Sequence, residues 1–265
     1  MKKAYLATIA IVLLILATAA GCIDDTDKHT YQETLTQVST IDALMNGIYD
    51  GVISHGELKK HGDFGVGTFE ALDGEMLAFD GNFYQIKADG KVYKVDDSMM
   101  TPFAAVTFFD TDQTAALTKG MDYAQVGKFL DSLVPTENIF YAIKIEGTFE
   151  YIKTRSVPAQ TKPYPPLAEV TKDQSVFEFQ NVKGTIVGFR SPPYVKGINV
   201  PGYHLHFLTE SGDAGGHLLE LRVGEAKASL DYTSGFFMIL PGEGSDFYKL
   251  DLSLDKEAEL QKAEK

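Results

Sequence analysis

Three of the six histidines lie between positions 204 and 217, in the run Tyr203-His204-Leu205-His206-Phe207-Leu208-Thr209 and then Gly216-His217. Side chains alternate along a strand, so His204 and His206 leave one face while Leu205 and Phe207 leave the other. Residues 210–216 are rich in turn formers, which returns the chain and lets His217 open a partner strand over 218–223. If His206 and His217 face each other across that pair, their Cβ atoms lie about 4.5–5.5 Å apart and three imidazoles converge on one point. Three neutral nitrogen donors with no fourth protein ligand in the pattern form the donor set of a catalytic zinc site, whose open position takes water or substrate. Copper, nickel or iron would accept the same donors, so the pattern defines a site before it defines a metal. An H-x-H pair also arises on exposed strands that bind nothing, and spacing alone does not choose between the two. His29, His55 and His61 are scattered among polar residues and glycine and are expected to be solvated.

The elements around this hairpin follow from periodicity and punctuation. Ile41, Leu44, Met45, Ile48 and Tyr49 form one apolar stripe behind a Ser39-Thr40 cap, which predicts a helix. A second helix is predicted over 121–133, with Tyr123, Val126, Phe129, Leu130 and Leu133 as its stripe, Gly127 inside it and Pro135 ending it. Between them, Asp73-Gly74, Asp80-Gly81 and Asp89-Gly90 break residues 68–95 into short strands. Further strands are expected over 103–109, 139–151, 176–189 and repeatedly from 203 to 240. Seven of the ten prolines fall between positions 158 and 201, which suggests irregular connections and a boundary near 161. The expected fold is α+β. A mixed-sheet N-terminal domain with helices spans 33–160, a mostly antiparallel β domain carrying the histidine hairpin spans 161–252, and 253–265 form a charged tail or short helix.

The chain has 265 residues, of which 44% are hydrophobic, 11% aromatic and 23% charged, proportions of a globular protein that exclude wholesale disorder. A single Cys excludes an intrachain disulfide framework and a thiolate-rich metal site. The formal charge of -13 argues against sequence-independent nucleic-acid binding. Met1-Lys2-Lys3 followed by an uncharged run over 4–20 reads as a secretory signal. Ala19-Ala20-Gly21 leading into Cys22 is similar to a lipoprotein signal, so 1–21 are expected to be removed, Cys22 to carry a lipid anchor and 22–32 to act as a tether. An ordinary A-x-A cleavage at Ala17-Thr18-Ala19 would instead give a secreted chain.

Several segments together resemble the alpha-acetolactate decarboxylase family. They are the histidine hairpin, its approach through Gly197-Ile198-Asn199-Val200-Pro201-Gly202, and Lys162-Pro163-Tyr164-Pro165-Pro166-Leu167-Ala168-Glu169-Val170. To these add Ser39-Thr40-Ile41-Asp42-Ala43-Leu44, Gly65-Val66-Gly67-Thr68-Phe69 and Leu72-Asp73-Gly74-Glu75. The resemblance implies decarboxylation of 2-acetolactate, a 2-hydroxy-3-oxo acid, to acetoin and carbon dioxide, with zinc held by His204, His206 and His217. It also implies active-site roles for Arg155 in an R-S-V-P segment, Glu75, Thr68 and a C-terminal glutamate, Glu264 or else Glu259. In that reading zinc stabilises an enediolate, Arg155 holds the carboxylate or the developing oxyanion, and Glu75 or Glu264 protonates carbon. A homodimer is compatible with the same reading. The rival expectation is an exported metal-binding lipoprotein without catalytic activity, which would use the histidines but have no need of Arg155 or Glu75.

Overall fold

In the computed structural model, which describes residues 33–264, the three Asp-Gly dipeptides turn the chain where expected. The export signal, Cys22, His29 and the tether lie outside the described residues. The chain begins with β1 (Thr34–Val38), helix α1 (Ile41–Met45), β2 (Ile53–Ser54) and helix α2 (His55–Leu58). There follow β3 (Phe64–Thr68), β4 (Glu75–Phe79), β5 (Asn82–Ile86), β6 (Val92–Lys94), β7 (Met100–Thr101), β8 (Ala104–Thr107) and β9 (Gln113–Leu117). Helix α3 (Tyr123–Asp131) precedes β10 (Phe140–Ser156), and α4 (Leu167–Val170) leads to β11 (Ser175–Ser191). The last elements are β12 (Gly202–Thr209), β13 (Gly215–Thr233), β14 (Gly235–Ile239) and helix α5 (Glu257–Glu264).

The fold is α+β, with one mixed and one antiparallel sheet. The mixed sheet has seven strands in the order β14-β1-β8-β3-β4-β5-β6, and its parallel pair is β14 with β1. The second runs β10-β11-β12-β13-β9, and an additional pairing of β10 with β13 closes it on itself. β2 and β7 form a separate two-stranded pair.

Sheet membership does not divide at 160/161. β9 and β10 precede that point yet pair with β13, and β14 follows it yet pairs with β1 from Thr34 opposite Gly235 to Val38 opposite Ile239. Proline cannot donate to a ladder, and the prolines around 158–166 lie in the connection between β10 and its antiparallel neighbour β11.

Alternation sorts the long strands into two faces. Tyr141, Ile143, Ile145, Ile186, Leu205 and Phe207 fill the closed sheet, while Ala142, Val187, Phe189 and Leu208 pack on Leu35, Val66 and Leu77 of the seven-stranded sheet. His204 and His206 share the parity of Leu208, so they face the seam between the two sheets.

The helices are set by local chemistry. The Thr40 side chain caps α1 by accepting from the Ala43 N–H, and the helix ends at Asn46 because Gly47 takes a φ of 83°. It is therefore shorter than its apolar stripe, although Tyr49 still reaches the core. In α3, Asp122 and Gln125 form a capping box, and Gly127 is there for space: a Cβ would lie 3.2 Å from the Tyr203 ring. The charged tail is a helix, α5, whose Leu260 and Ala263 join a cluster with Ile41, Leu44 and Leu167.

Candidate active site

β12 and β13 pair with His206 opposite His217, while Phe189 of β11 faces His204 and Arg155 of β10 faces His217 on its other side. The three ring centroids are 5.1, 5.1 and 5.3 Å apart, and one ring nitrogen from each lies within 4.8 Å of the others. All three rings are buried. Burial pushes the pKa of each below the ordinary histidine value, helped at His217 by Arg155 and at His206 by His204, so the rings are neutral donors.

The carbonyl of Met76, in β4, accepts from Nδ1 of His206 at 2.7 Å. That bond leaves the lone pair on Nε2, which is buried without a hydrogen-bond partner. A ring tied at one nitrogen and unsatisfied at the other is how proteins hold a metal-ligating histidine. The donors present fit zinc, with three neutral nitrogens converging on a small buried space.

Two carboxylates and a guanidinium complete the cluster. Glu75, the first residue of β4, has Oε2 at 3.6 Å from His206 Nε2 and Oε1 at 3.7 Å from Arg155 Nη1. Glu264, at the end of α5, has Oε2 at 3.7 Å from Nε2 of both His204 and His217, and Oε1 at 3.7 Å from Arg155 Nη2. Its carbonyl lies 3.3 Å from His217 Nε2. Arg155 is 3% exposed, its carboxylate contacts are longer than hydrogen bonds, and its Nε has no partner, so its donor fork is free to hold an anion. Burial raises the Glu75 carboxyl to about 7 despite Arg155, with Glu264 adding to the rise. Thr68 pairs with Glu75 across β3 and β4, and its hydroxyl donates to the Gly74 carbonyl at 2.7 Å, so it fixes the turn that aims Glu75.

That turn is strained. Ala71 and Leu72 take φ of 60° and 57°, a left-handed conformation that costs a non-glycine residue about 1–2 kcal/mol. Hydrogen bonds from Ala71 N–H to the Tyr49 carbonyl and from Gln160 N–H to the Ala71 carbonyl hold it in place. Leu44, Leu72, Phe103, Val157 and Leu167 wall the pocket. A larger groove lined by Tyr123, Val200, Leu252 and Leu254 adjoins it at Glu264.

All seven residues expected at the site meet there. Glu259, the fallback for the tail, instead pairs with Lys256 at 3.0 Å. His55 corrects an expectation: it is fully buried, stacked on Phe69 at 4.6 Å, with Nδ1 2.9 Å from the Met99 carbonyl. Arg190, with no expected role, is buried and held by Asp131 at 2.9 Å and Glu137 at 2.8 Å. The Met76 carbonyl was beyond sequence reasoning, because a backbone acceptor leaves no mark on residue type.

Fold and site together have the make-up of an enzyme for a small molecule, with buried donors, acids and a guanidinium converging on a narrow pocket. The chain belongs to the alpha-acetolactate decarboxylase family, whose sequence profile matches residues 35–254. It is 56% identical over 238 residues to the alpha-acetolactate decarboxylase of Methanosarcina mazei, covering 90% of this chain and 82% of that one. To that of Methylococcus capsulatus it is 47% identical over 228 residues, covering 86% and 87%. The crystal structure of alpha-acetolactate decarboxylase from Bacillus subtilis strain 168 superposes with a TM-score of 0.85 at 39% identity, covering 87% of this chain and 99% of that one.

Proposed function

We propose that this chain decarboxylates 2-acetolactate to acetoin and carbon dioxide, with zinc held by His204, His206 and His217. The observation that carries the reading is Arg155, buried between Glu75 and Glu264 and facing the histidines with unused donors. Zinc held by His204, His206 and His217 would supply Lewis acidity for the negative charge that develops on the substrate. Arg155 holds the carboxylate through paired donors and so orients the bond that breaks. The electron pair left by carbon dioxide spreads into the adjacent ketone, which makes an organic cofactor unnecessary, and the carbon must then gain a proton. Glu75 is the group to give it, because its carboxyl lies beside the histidines and its burial favours the protonated form. Glu264 faces the same space from the other side of Arg155. Leu44, Phe103 and Val157 keep water from the carbanionic centre and suit the substrate's methyl groups.

A metal carrier has no use for a guanidinium set between two buried acids, so that reading is not favoured. The test is acetoin formation from fresh acetolactate by the purified chain and by His206→Ala. The parent should carry zinc and form acetoin, and the variant should lose both, since two imidazoles rarely retain a catalytic ion. No acetoin from the parent, or full zinc in the variant, would overturn the reading.

A further inference from the structure

A second group of metal-ligating side chains lies away from the histidines, where the chain crosses from the closed sheet to the seven-stranded one. One carboxylate oxygen each from Glu33, Asp112 and Asp231 lie within 4.8 Å of one another. Glu33 directly precedes β1, Asp112 directly precedes β9, and Asp231 belongs to β13. Asp231 is 0% exposed; its Oδ2 accepts from the Asp110 N–H at 3.3 Å, but its Oδ1 is buried with no hydrogen-bond partner. Asp112 is exposed, and its Oδ2 accepts from the Tyr232 N–H at 2.7 Å.

Among the described residues, the side-chain charges that act most on Asp231 belong to Glu33, Asp112 and Asp110, all acidic. Burial and these acidic neighbours raise the Asp231 carboxyl to about 8, so its charged form, with one buried oxygen unmet, is stabilised when a cation takes the place of the proton. Two residues further along β13, and on the same face, Thr233 is also 0% exposed with an unpartnered hydroxyl.

We propose that Glu33, Asp112 and Asp231 form a second metal site, which takes a hard divalent cation of the calcium kind and is separate from the histidine cluster. The donor set is all oxygen, which selects against zinc-type chemistry. Carboxylates from three separate segments make an irregular set that calcium accepts, with water and carbonyl oxygens completing its shell, whereas magnesium demands a near-ideal octahedron. Such an ion ties the entry to β1 in one sheet to β13 and the entry to β9 in the other. The Glu33 carbonyl already accepts from the Gly235 N–H at 2.7 Å, so the tie sits where β14 begins.

The experiment uses the zinc-loaded full chain in calcium-free buffer, titrated calorimetrically with calcium chloride and melted with and without it. One calcium ion per chain is expected, with a Kd between about 10⁻⁵ and 10⁻³ M, and a rise in Tm on saturation. Asp231→Asn should abolish both responses. Asp112→Asn, an exposed change that leaves the core intact, should weaken binding about tenfold or more. Zinc content should be equal in all three proteins. Absence of binding heat and Tm shift in the parent, or full retention of both in Asp112→Asn, overturns the site, and an equal response to magnesium chloride overturns its calcium character.

Discussion

Arg155 faces two acids at 3.7 Å and hydrogen-bonds to neither, and its replacement tests the chemistry more sharply than replacement of a histidine. Arg155→Lys keeps the charge and removes the planar fork, so zinc content should stay at the parent level while kcat falls. Glu75→Gln keeps the shape and removes the proton, with an expected loss of about 10²–10⁴ in rate, the usual contribution of a general acid. Zinc stoichiometry and acetoin assays on both variants check this, and parent-level activity in either removes that residue's role. His55 allows a separate test, because it lies outside the site. Its burial lowers its pKa, so the folded state favours the neutral ring. The stability this gives is present above about pH 6.5, the unfolded value, and is lost as pH falls toward the folded one, by up to ~1.4 kcal/mol per pH unit for one proton. His55→Gln should flatten the fall in unfolding free energy between pH 7.5 and 5; parallel curves for parent and variant would exclude His55 as a contributor. The histidine hairpin was legible in the sequence because strand alternation is a local rule. The burial of His55 was not, because Phe69, Phe83 and Met99 close over it from other segments.

Helix α5 shows how an element can matter more than its composition suggests. Half of its side chains are charged, and its apolar hold on the protein is Leu260 and Ala263 in the cluster that also walls the pocket. Leu260→Ala removes the larger contact, a change that typically costs about 2–5 kcal/mol in a core. In a short helix held by two buried apolar side chains that cost falls on docking, so Glu264 leaves Arg155 and His204. Acetoin formation should drop more than about tenfold, while Tm moves only by the few degrees that a local loss allows. Limited proteolysis should then cut the variant first within α5. A collapse of Tm with no early cut would mean that the helix holds up the whole fold. From sequence, the tail read as a short helix or a loose end, because two apolar positions are too few to show a period. The α3 stripe was plain by contrast, although the helix ends at Asp131, before the expected bound of 133. Gly127, a poor helix former inside that stripe, leaves the space into which Tyr203 packs.

At the scale of the molecule, the sheets interleave along the chain, and this was the least legible part. Asp-Gly turns and β-branched runs announce strands, and within β3–β6 and β10–β13 each strand pairs antiparallel with the next in sequence. Nothing in residues 34–38 names 235–239 as their parallel partner, since a long-range pairing is chosen by the packed whole. That pairing has a consequence for how the protein is made. β1 leaves the ribosome ahead of the other described strands, and one of its two flanks, toward β14, can be covered only after almost every other one of them exists. Throughout that interval β1 offers unpaired amides and carbonyls, with Leu35 and Val38 not yet covered, to any neighbour, which is the situation that seeds association between chains. A chain stopped after Thr233 should make the interval permanent. It should elute as mixed oligomers by light-scattering chromatography where the parent gives one species, and a single sharp species from the shortened chain would show that β1 is protected by something other than β14.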